Sequence, residues 1–347
     1  MKTMKTAVMN GIGKMGYEER PVPVPNETEV LVKVEYVGIC GSDLHYYESG
    51  RIGDCVVKPP FVLGHEPAGT IVEVGGAVKH LKVGDRVTME PGKTCGTCKF
   101  CRQGKYNLCP EVEFFATPPI DGVFQEYVTH EADLCFILPD QISTLEGALI
   151  EPLAVGFHAA LQGGAKIGQS AIVFGAGCIG LMSLMALKAC SVSKVYVVDV
   201  VEARLAKALE LGADGVINGK EENVVERAAE LTAGEGFDLA IETAGTEVTA
   251  NQAIQVVCKG AHIVLVGYSK SGMMNLMISL ALDKELQFDT VFRYRHIYPM
   301  AIEAVAQGKI PLKKVASHIF DFDDIQTAMD RSVNEKSEIV KSVVKIS

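Results

Sequence analysis

Cys95, Cys98, Cys101 and Cys109 lie in one short run, C-G-T-C-K-F-C-R-Q-G-K-Y-N-L-C, in which two C-x2-C steps share a middle cysteine. Four thiolates at such spacing can converge at ~2.3 Å on a tetrahedral Zn²⁺. Gly96 and Gly104 supply turn freedom, and Lys93, Lys99, Arg102 and Lys105 offset the charge of a tetrathiolate site. One or two disulfides are the alternative use of such a run. Overlapping C-x2-C steps are awkward for disulfides, and the other cysteines, Cys40, Cys55, Cys135, Cys178, Cys190 and Cys258, are scattered as in a reducing compartment, so the run predicts a structural zinc. Such a lobe shapes a loop and performs no reaction. The chemistry must come from other residues.

Cys40-Gly41-Ser42-Asp43, Gly64-His65-Glu66 and Glu151-Pro152 form a second set. A catalytic zinc takes about three protein ligands and keeps one position open. Cys40, His65 and an acidic residue meet that count, although an isolated Cys and His are more often structural, and spacing alone leaves both readings open. A third set is Gly175-Ala176-Gly177-Cys178-Ile179-Gly180, directly after the apolar run 171–174. In that context Gly175 allows a tight turn, Gly177 lets the backbone approach a pyrophosphate, and Gly180 lets helix and strand pack closely. The helix N-terminus favours the anion. About 20 residues on, Val197-Val198-Asp199 ends the next apolar run, where a carboxylate accepts from the ribose hydroxyls of NAD and repels the 2′-phosphate of NADP. NAD is therefore expected. Asp199 could instead cap the following helix. Arg204 could pair with a phosphate and weaken the preference, or lie on a solvated helix face.

These residues need a frame. The chain has 347 residues, enough for two domains, and is 48% hydrophobic. Its net charge of −10 argues against nucleic acid as a partner. No apolar run reaches the ~18 residues of a membrane span. The start, Met1 to Val8, is positively charged but lacks the apolar core of a signal peptide, so a cytoplasmic setting is expected. Up to about residue 150, segments 29–37, 68–74, 85–89 and 124–129 read as short strands broken by Gly and Pro, which suits a barrel or sandwich with functional loops. From about Ser170, strands at 171–174, 194–198, 215–218, 239–243 and 262–266 alternate with helices at 179–190, 202–211, 223–231 and 248–258. That alternation predicts a doubly wound parallel sheet. Residues 339–346 close the chain with a strand-like run.

C-G-S-D (40–43), G-H-E (64–66), G-D-R-V (84–87), the four-cysteine lobe and G-x-G-x-x-G follow in this order. In this the chain resembles the zinc-containing medium-chain dehydrogenases over essentially its whole length. Residues 40–46, Gly50-Arg51-Ile52-Gly53, Ala116-Thr117-Pro118-Pro119, residues 146–152 and Val291-Phe292-Arg293-Tyr294 are most similar to the polyol branch, which acts on sorbitol, L-iditol and xylitol. The resemblance implies an α/β chain with a GroES-like β-barrel catalytic domain (1–152), a Rossmann NAD-binding domain (153–290) and a C-terminal segment (291–347) returning to the catalytic domain. It also implies an active site in the cleft between the domains. NAD, one catalytic and one structural Zn²⁺, a small polyol substrate and a homotetramer or homodimer go with it.

Carried onto this sequence, Cys40, His65 and Glu66 match catalytic zinc ligands. Glu151 matches an acid that holds a zinc-bound water or enters the coordination sphere, where alcohol dehydrogenases have a cysteine. Tyr46, Glu151, Arg293 and Tyr294 match polyol contacts, with Phe114 and Thr117 lining the pocket. Gly175, Gly177, Ile179, Gly180, Asp199, Arg204, Val266, Gly267, Tyr268, Val291, Phe292 and Arg293 match cofactor contacts. Ser42 and His45, by themselves a turn hydroxyl and a packed loop histidine, become a proton relay. The expected reaction is zinc-dependent oxidation of a polyol secondary alcohol to the 2-ketose, with hydride transfer to NAD. Some polyol dehydrogenases have lost the lobe cysteines; this chain keeps all four, so L-threonine and 2,3-butanediol remain rival substrates. A non-catalytic NAD-binding protein on this fold would be marked by loss of a zinc ligand, and none is lost.

Overall fold

The computed structural model describes residues 2–269 and 271–347. Early in the chain, β-branched and aromatic residues favour strands. They form β1 (Thr3–Gly11), β2 (Lys14–Pro21), β3 (Glu29–Gly38), β4 (Glu66–Val74), β5 (Arg86–Met89), β6 (Tyr127–Glu131) and β7 (Cys135–Ile137). Strand and helix then alternate through β8 (Ser170–Phe174), β9 (Lys194–Asp199), β10 (Gly215–Asn218), β11 (Phe237–Glu242), β12 (Val257–Leu265) and β13 (Gln287–Thr290). The last strands are β14 (His318–Asp321) and β15 (Ser342–Lys345).

The chain divides into two units. The first runs to Glu151 and takes in Tyr298–Ala306 and Leu312–Ser347; the second is Pro152–Ile297 with Gln307–Pro311. Residues 291–297 and 307–311 thus group with the second unit, so the expected segment 291–347 is shared between the two.

The sheet of the first unit has the order β7-β5-β4-β3-β15-β14. β3 pairs antiparallel with β4, its N-terminal half also pairs with β6, and its end pairs with β15. Its core is built on alternate residues of β3, Val30, Val32 and Val34, with Val87, Met89 and Val344. The sheet of the second unit has the order β10-β9-β8-β11-β12-β13, parallel throughout. Ala171, Ile172, Val173 and Phe174 of its β8 are all fully buried, the continuous apolar run that a strand covered on both faces needs. This is the doubly wound α/β arrangement expected from the alternation.

The structure differs from the sequence expectations in local detail. The strand expected at 124–129 begins only at Tyr127, because Phe124 and Gln125 turn towards β1: the Phe124 carbonyl accepts from Ala7 N at 2.9 Å and Gln125 bridges to Thr6. The helix expected at 248–258 ends at Val256, and Val257 already pairs with Phe237. β13 was not foreseen, since Gln287–Thr290 has no clear apolar alternation and is made a strand by pairing with β12.

The first unit also buries two ionisable groups. Glu90, just after β5, is 5% exposed, and burial moves its carboxyl from 4.5 up to about 7, opposed only by the Tyr106 hydroxyl donating to Oε1 at 2.8 Å. His130 of β6 donates from Nε2 to the Glu90 carbonyl at 2.7 Å, and burial lowers its pKa to about 4. Below about pH 4.5 Glu90 is protonated in both the folded and the unfolded chain and costs nothing. As pH rises towards 7 the unfolded chain sheds the proton first, so stability falls, by on the order of 3 kcal/mol above pH 7. His130 acts in the opposite sense: its contribution is complete above 6.5 and is lost as pH falls towards 4. Glu90→Gln should therefore gain about 1–3 kcal/mol on the parent chain between pH 5 and pH 8 in urea unfolding. Parallel stability curves over that range would show that Glu90 ionises without penalty.

Candidate active site

The sulfurs of Cys95, Cys98, Cys101 and Cys109 lie within 4.8 Å of one another. All ten cysteines are free, and the 3.5 Å between the Cys95 and Cys109 sulfurs far exceeds a disulfide bond of ~2.05 Å. Backbone N–H groups aim at the sulfurs: Cys98 N donates to Cys95 Sγ at 3.3 Å and Cys101 N to Cys98 Sγ at 3.5 Å. N–H groups of Thr97 and Cys98 draw the Cys95 thiol down to about 6, whereas desolvation and the neighbouring Cys98 push Cys101 up to about 11. Four thiols this close cannot all ionise without a cation among them, and a tetrahedral zinc fits the donor set.

The second set gathers where β3 ends and β4 begins. Cys40 caps α1 (Gly41–Ser49), and His65 and Glu66 enter β4. Ligand atoms of Cys40, His65 and Glu66 lie within 4.8 Å of one another, with His65 7% and Glu66 1% exposed. Fully buried Asp43 organises the group. Its Oδ2 accepts from Cys40 N at 2.9 Å; its Oδ1 accepts from Gly64 N at 2.9 Å and lies 3.6 Å from His65 Nδ1. Burial works against its charge, but His65 and those N–H groups outweigh it and hold the carboxyl below the usual range. The Nδ1 contact orients the imidazole and leaves Nε2 available.

Glu66 has a further partner. Lys341 donates from Nζ to Oε1 at 2.6 Å and lies 2.5 Å from Oε2, which accepts no aligned hydrogen bond. A buried carboxylate oxygen with lone pairs to spare, beside a thiol and an imidazole, suits a zinc ligand.

Sequence reasoning missed both Asp43 and Lys341. Asp43 stood inside the C-G-S-D motif and could have been found there; nothing near Lys341 marked it.

Around this set, Phe114 packs its ring 5.6 Å from that of His65. Thr117 N donates to the Phe114 carbonyl at 3.0 Å, and Tyr46 is buried on α1. Ser42 is half-buried and His45 exposed on the same helix. Glu151 is 5% exposed in the first turn of α2 (Ile150–Gln162) and does not join the ligand set.

In the second unit, β8 runs into α3 (Cys178–Ala189) through the glycine loop. Gly175 has φ +95°, and a Cβ there would lie 2.8 Å from Thr243 Oγ1; one on Gly180 would lie 1.8 Å from the Gly175 carbonyl. A Cβ on Gly177, the cap of α3, would meet nothing within 4 Å, so the loop leaves open space where a pyrophosphate would sit. Asp199 accepts from Ala176 N at 2.6 Å through Oδ2 and from Val200 and Val201 N at 2.8 and 2.9 Å through Oδ1. It therefore ties the glycine loop to the start of α4 (Glu202–Glu210), with the Arg204 guanidinium 4.0 Å away.

Ile179 is half-buried at the start of α3. Val266 and Gly267 donate their N–H groups to the Glu242 carbonyl, and Tyr268 is 77% exposed. Val291 N donates to Leu265, Arg293 places its guanidinium 4.8 Å from the Phe292 ring, and Tyr294 is buried.

Two family descriptions match, "Alcohol dehydrogenase GroES-like domain" over residues 26–140 and "Zinc-binding dehydrogenase" over residues 178–307. With the metal-ligand sets and the parallel sheet, they show that the chain belongs to the zinc-containing medium-chain dehydrogenases, with a GroES-like and a Rossmann domain. It is 42% identical to the sorbitol dehydrogenase of Bacillus subtilis, over 99% of this chain and 97% of that one. It is 46% identical, over the whole of both chains, to an uncharacterized zinc-type alcohol dehydrogenase-like protein of Escherichia coli. A solved alcohol dehydrogenase from Escherichia coli CFT073, complexed with NADH, is 30% identical with a TM-score of 0.92 over 99% of each chain. Zinc and a nicotinamide dinucleotide are accordingly the cofactors of this family member.

Metal analysis should find about two zincs per chain, and about one in His65→Ala, with the fold retained. If His65→Ala keeps the zinc content of the parent, the Cys40–His65–Glu66 set does not hold the metal.

Proposed function

We propose that the protein oxidises a secondary alcohol of a small polyol (sorbitol, L-iditol or xylitol) to the 2-ketose and passes the hydride to NAD. The carrying observation is the Cys40–His65–Glu66 set, its histidine and glutamate buried, in a chain 42% identical to a sorbitol dehydrogenase. In this reading Cys40, His65 and Glu66 hold the catalytic zinc, and Cys95, Cys98, Cys101 and Cys109 the structural one. When bound, the catalytic zinc supplies a Lewis acid that lowers the pKa of the alcohol, and NAD supplies the hydride acceptor.

The residues of the chain do the positioning. Asp43 orients His65 and, through the Cys40 amide, the thiolate. Ser42 and His45, on one helix with His45 exposed, pass the alcohol proton to solvent. Glu151, Tyr46, Arg293 and Tyr294 bind substrate hydroxyls, and Phe114 and Thr117 shape the pocket. A carboxylate at Glu151, rather than a thiolate, offers the acceptors a hydroxyl-rich substrate needs. Gly175, Gly177, Ile179, Gly180, Arg204, Val266, Gly267, Tyr268, Val291, Phe292 and Arg293 hold the dinucleotide, and Asp199 selects NAD.

Homodimers or homotetramers are the expected assembly, supported by the free edge of β13 and the exposed side chains of Phe288, Leu282, Ile278 and Met273. The ten free thiols suit a cytoplasmic setting, and no helix among the described residues is long and apolar enough to cross a membrane.

Initial rates on sorbitol, xylitol, L-iditol, L-threonine and 2,3-butanediol, each with NAD and NADP, test the reading. Polyols with NAD should lead; a clear preference for threonine or butanediol would move the substrate to that branch. Glu151→Ala should lower kcat/KM on polyols by about 10–100-fold while keeping its zinc, because the acid acts beside the metal rather than on it. Near-normal turnover would make Glu151 structural. Asp199→Ser should raise the NADP-to-NAD ratio of kcat/KM, and an unchanged ratio would reduce Asp199 to the cap of α4.

A further inference from the structure

Three strands of the first unit's sheet, β4, β3 and β15, lie side by side, and one row of residues crosses them. Glu66 at the start of β4 pairs with Gly38 at the end of β3, and Gly38 pairs with Val343 of β15. Lys341, two residues before Val343, reaches across Gly38 to Glu66. Its Nζ donates to Glu66 Oε1 at 2.6 Å and to the Ile39 carbonyl at 2.9 Å, and lies 2.5 Å from Oε2. The lysine side chain is 3% exposed and that of the glutamate 1%. A Cβ on Gly38 would lie 1.8 Å from Glu66 Oε2 and 3.1 Å from Lys341 Cε. The ion pair fits because residue 38 has no side chain.

We propose, resting on the zinc site assigned above, that Lys341 is the positioning residue for Glu66 and makes it a weak, exchangeable zinc ligand rather than a fixed one. The ammonium donates to Oε1 and lies beside Oε2, the oxygen left to a metal ion, and its charge opposes a second cation close by in a buried site. With Cys40, Asp43 and Glu66 ionised, zinc bound and Lys341 protonated, the cluster carries no net charge, and Lys341 supplies one of its three positive charges, which favours negative charge on a substrate oxygen. Without Lys341 the same cluster carries one net negative charge, and a buried carboxylate with no other cation holds zinc more tightly.

The test uses the zinc-loaded protein. The rate at which a chelator strips the catalytic zinc is followed with a colorimetric indicator, the slower four-cysteine site serving as internal reference. The absorption spectrum of cobalt-substituted protein reports the coordination. Lys341→Met should release the catalytic zinc about 10–100-fold more slowly, with an altered cobalt spectrum and a lower kcat. Lys341→Arg should restore parent behaviour. In a Glu66→Gln background Lys341→Met should change neither zinc release nor spectrum, since the lysine acts through the carboxylate. If Lys341→Met does not fold, Lys341→Gln, which keeps hydrogen-bonding groups without the charge, is read in the same way.

Release and spectrum like those of the parent in the neutral variants would overturn the proposal. So would faster release that persists in the Glu66→Gln background, because the lysine would then only prop the fold. A parent chain with no zinc at Cys40–His65–Glu66 and no alcohol oxidation would instead sink the functional reading itself. A zinc-loaded, active parent with unresponsive Lys341 variants sinks this proposal alone.

Discussion

Negative charge held away from water needs a cation, and the site of the first unit is organised around that need. Cys40, Asp43 and Glu66 bring a thiol and two carboxylates together where Asp43 and Glu66 have almost no exposure. Burying such groups unpaired would cost several kcal/mol each. The structure answers with Lys341 on Glu66, N–H groups of Cys40 and Gly64 on Asp43, and a donor set that fits zinc. Each answer depends on strand register. Glu66 meets Lys341 because β3 stands between their strands and carries glycine at the crossing point.

Charge compensation at close range recurs elsewhere in the chain. In the cysteine lobe, backbone N–H groups turned towards the sulfurs begin to stabilise thiolates, and the crowding of four thiols leaves the remainder to a cation. In the second unit, Asp199 is anchored by three backbone N–H groups, one from the glycine loop and two from the entry to α4. Those bonds hold the end of β9 against the loop after β8. The carboxylate proposed above to select NAD is thereby also a structural tie between the glycine loop and the entry to α4. Gly175 and Gly180 complete that corner by close contact, since a Cβ at either would strike Thr243 or the loop carbonyl.

Much of the frame was legible in the residues. The unbroken apolar runs of β8 and β9 mark strands buried on both faces, and their alternation with helical spacing leaves a parallel sheet as the consistent arrangement. Where local pattern and pairing disagreed, pairing decided. Val257 left its helix for the edge of Phe237, and Gln287–Thr290 became a strand by joining β12. Such bonds are made between distant segments, and no window of sequence contains them.

The candidate site divides along the same line. Closely spaced chemistry, such as the four-cysteine run, C-G-S-D, G-H-E and G-x-G-x-x-G, was determined by the sequence itself, because chelating turns and tight loops are built from neighbours in the chain. Asp43 lay within reach of that reasoning. Lys341 did not: 275 residues separate it from Glu66, and only the folding of β15 beside β3 brings its ammonium to the carboxylate. The sequence offered the candidate donors Cys40, His65, Glu66 and Glu151 without choosing between the two acids. The tertiary structure decided which buried charge stands beside them, because burial and long-range register exist only once the sheet has formed.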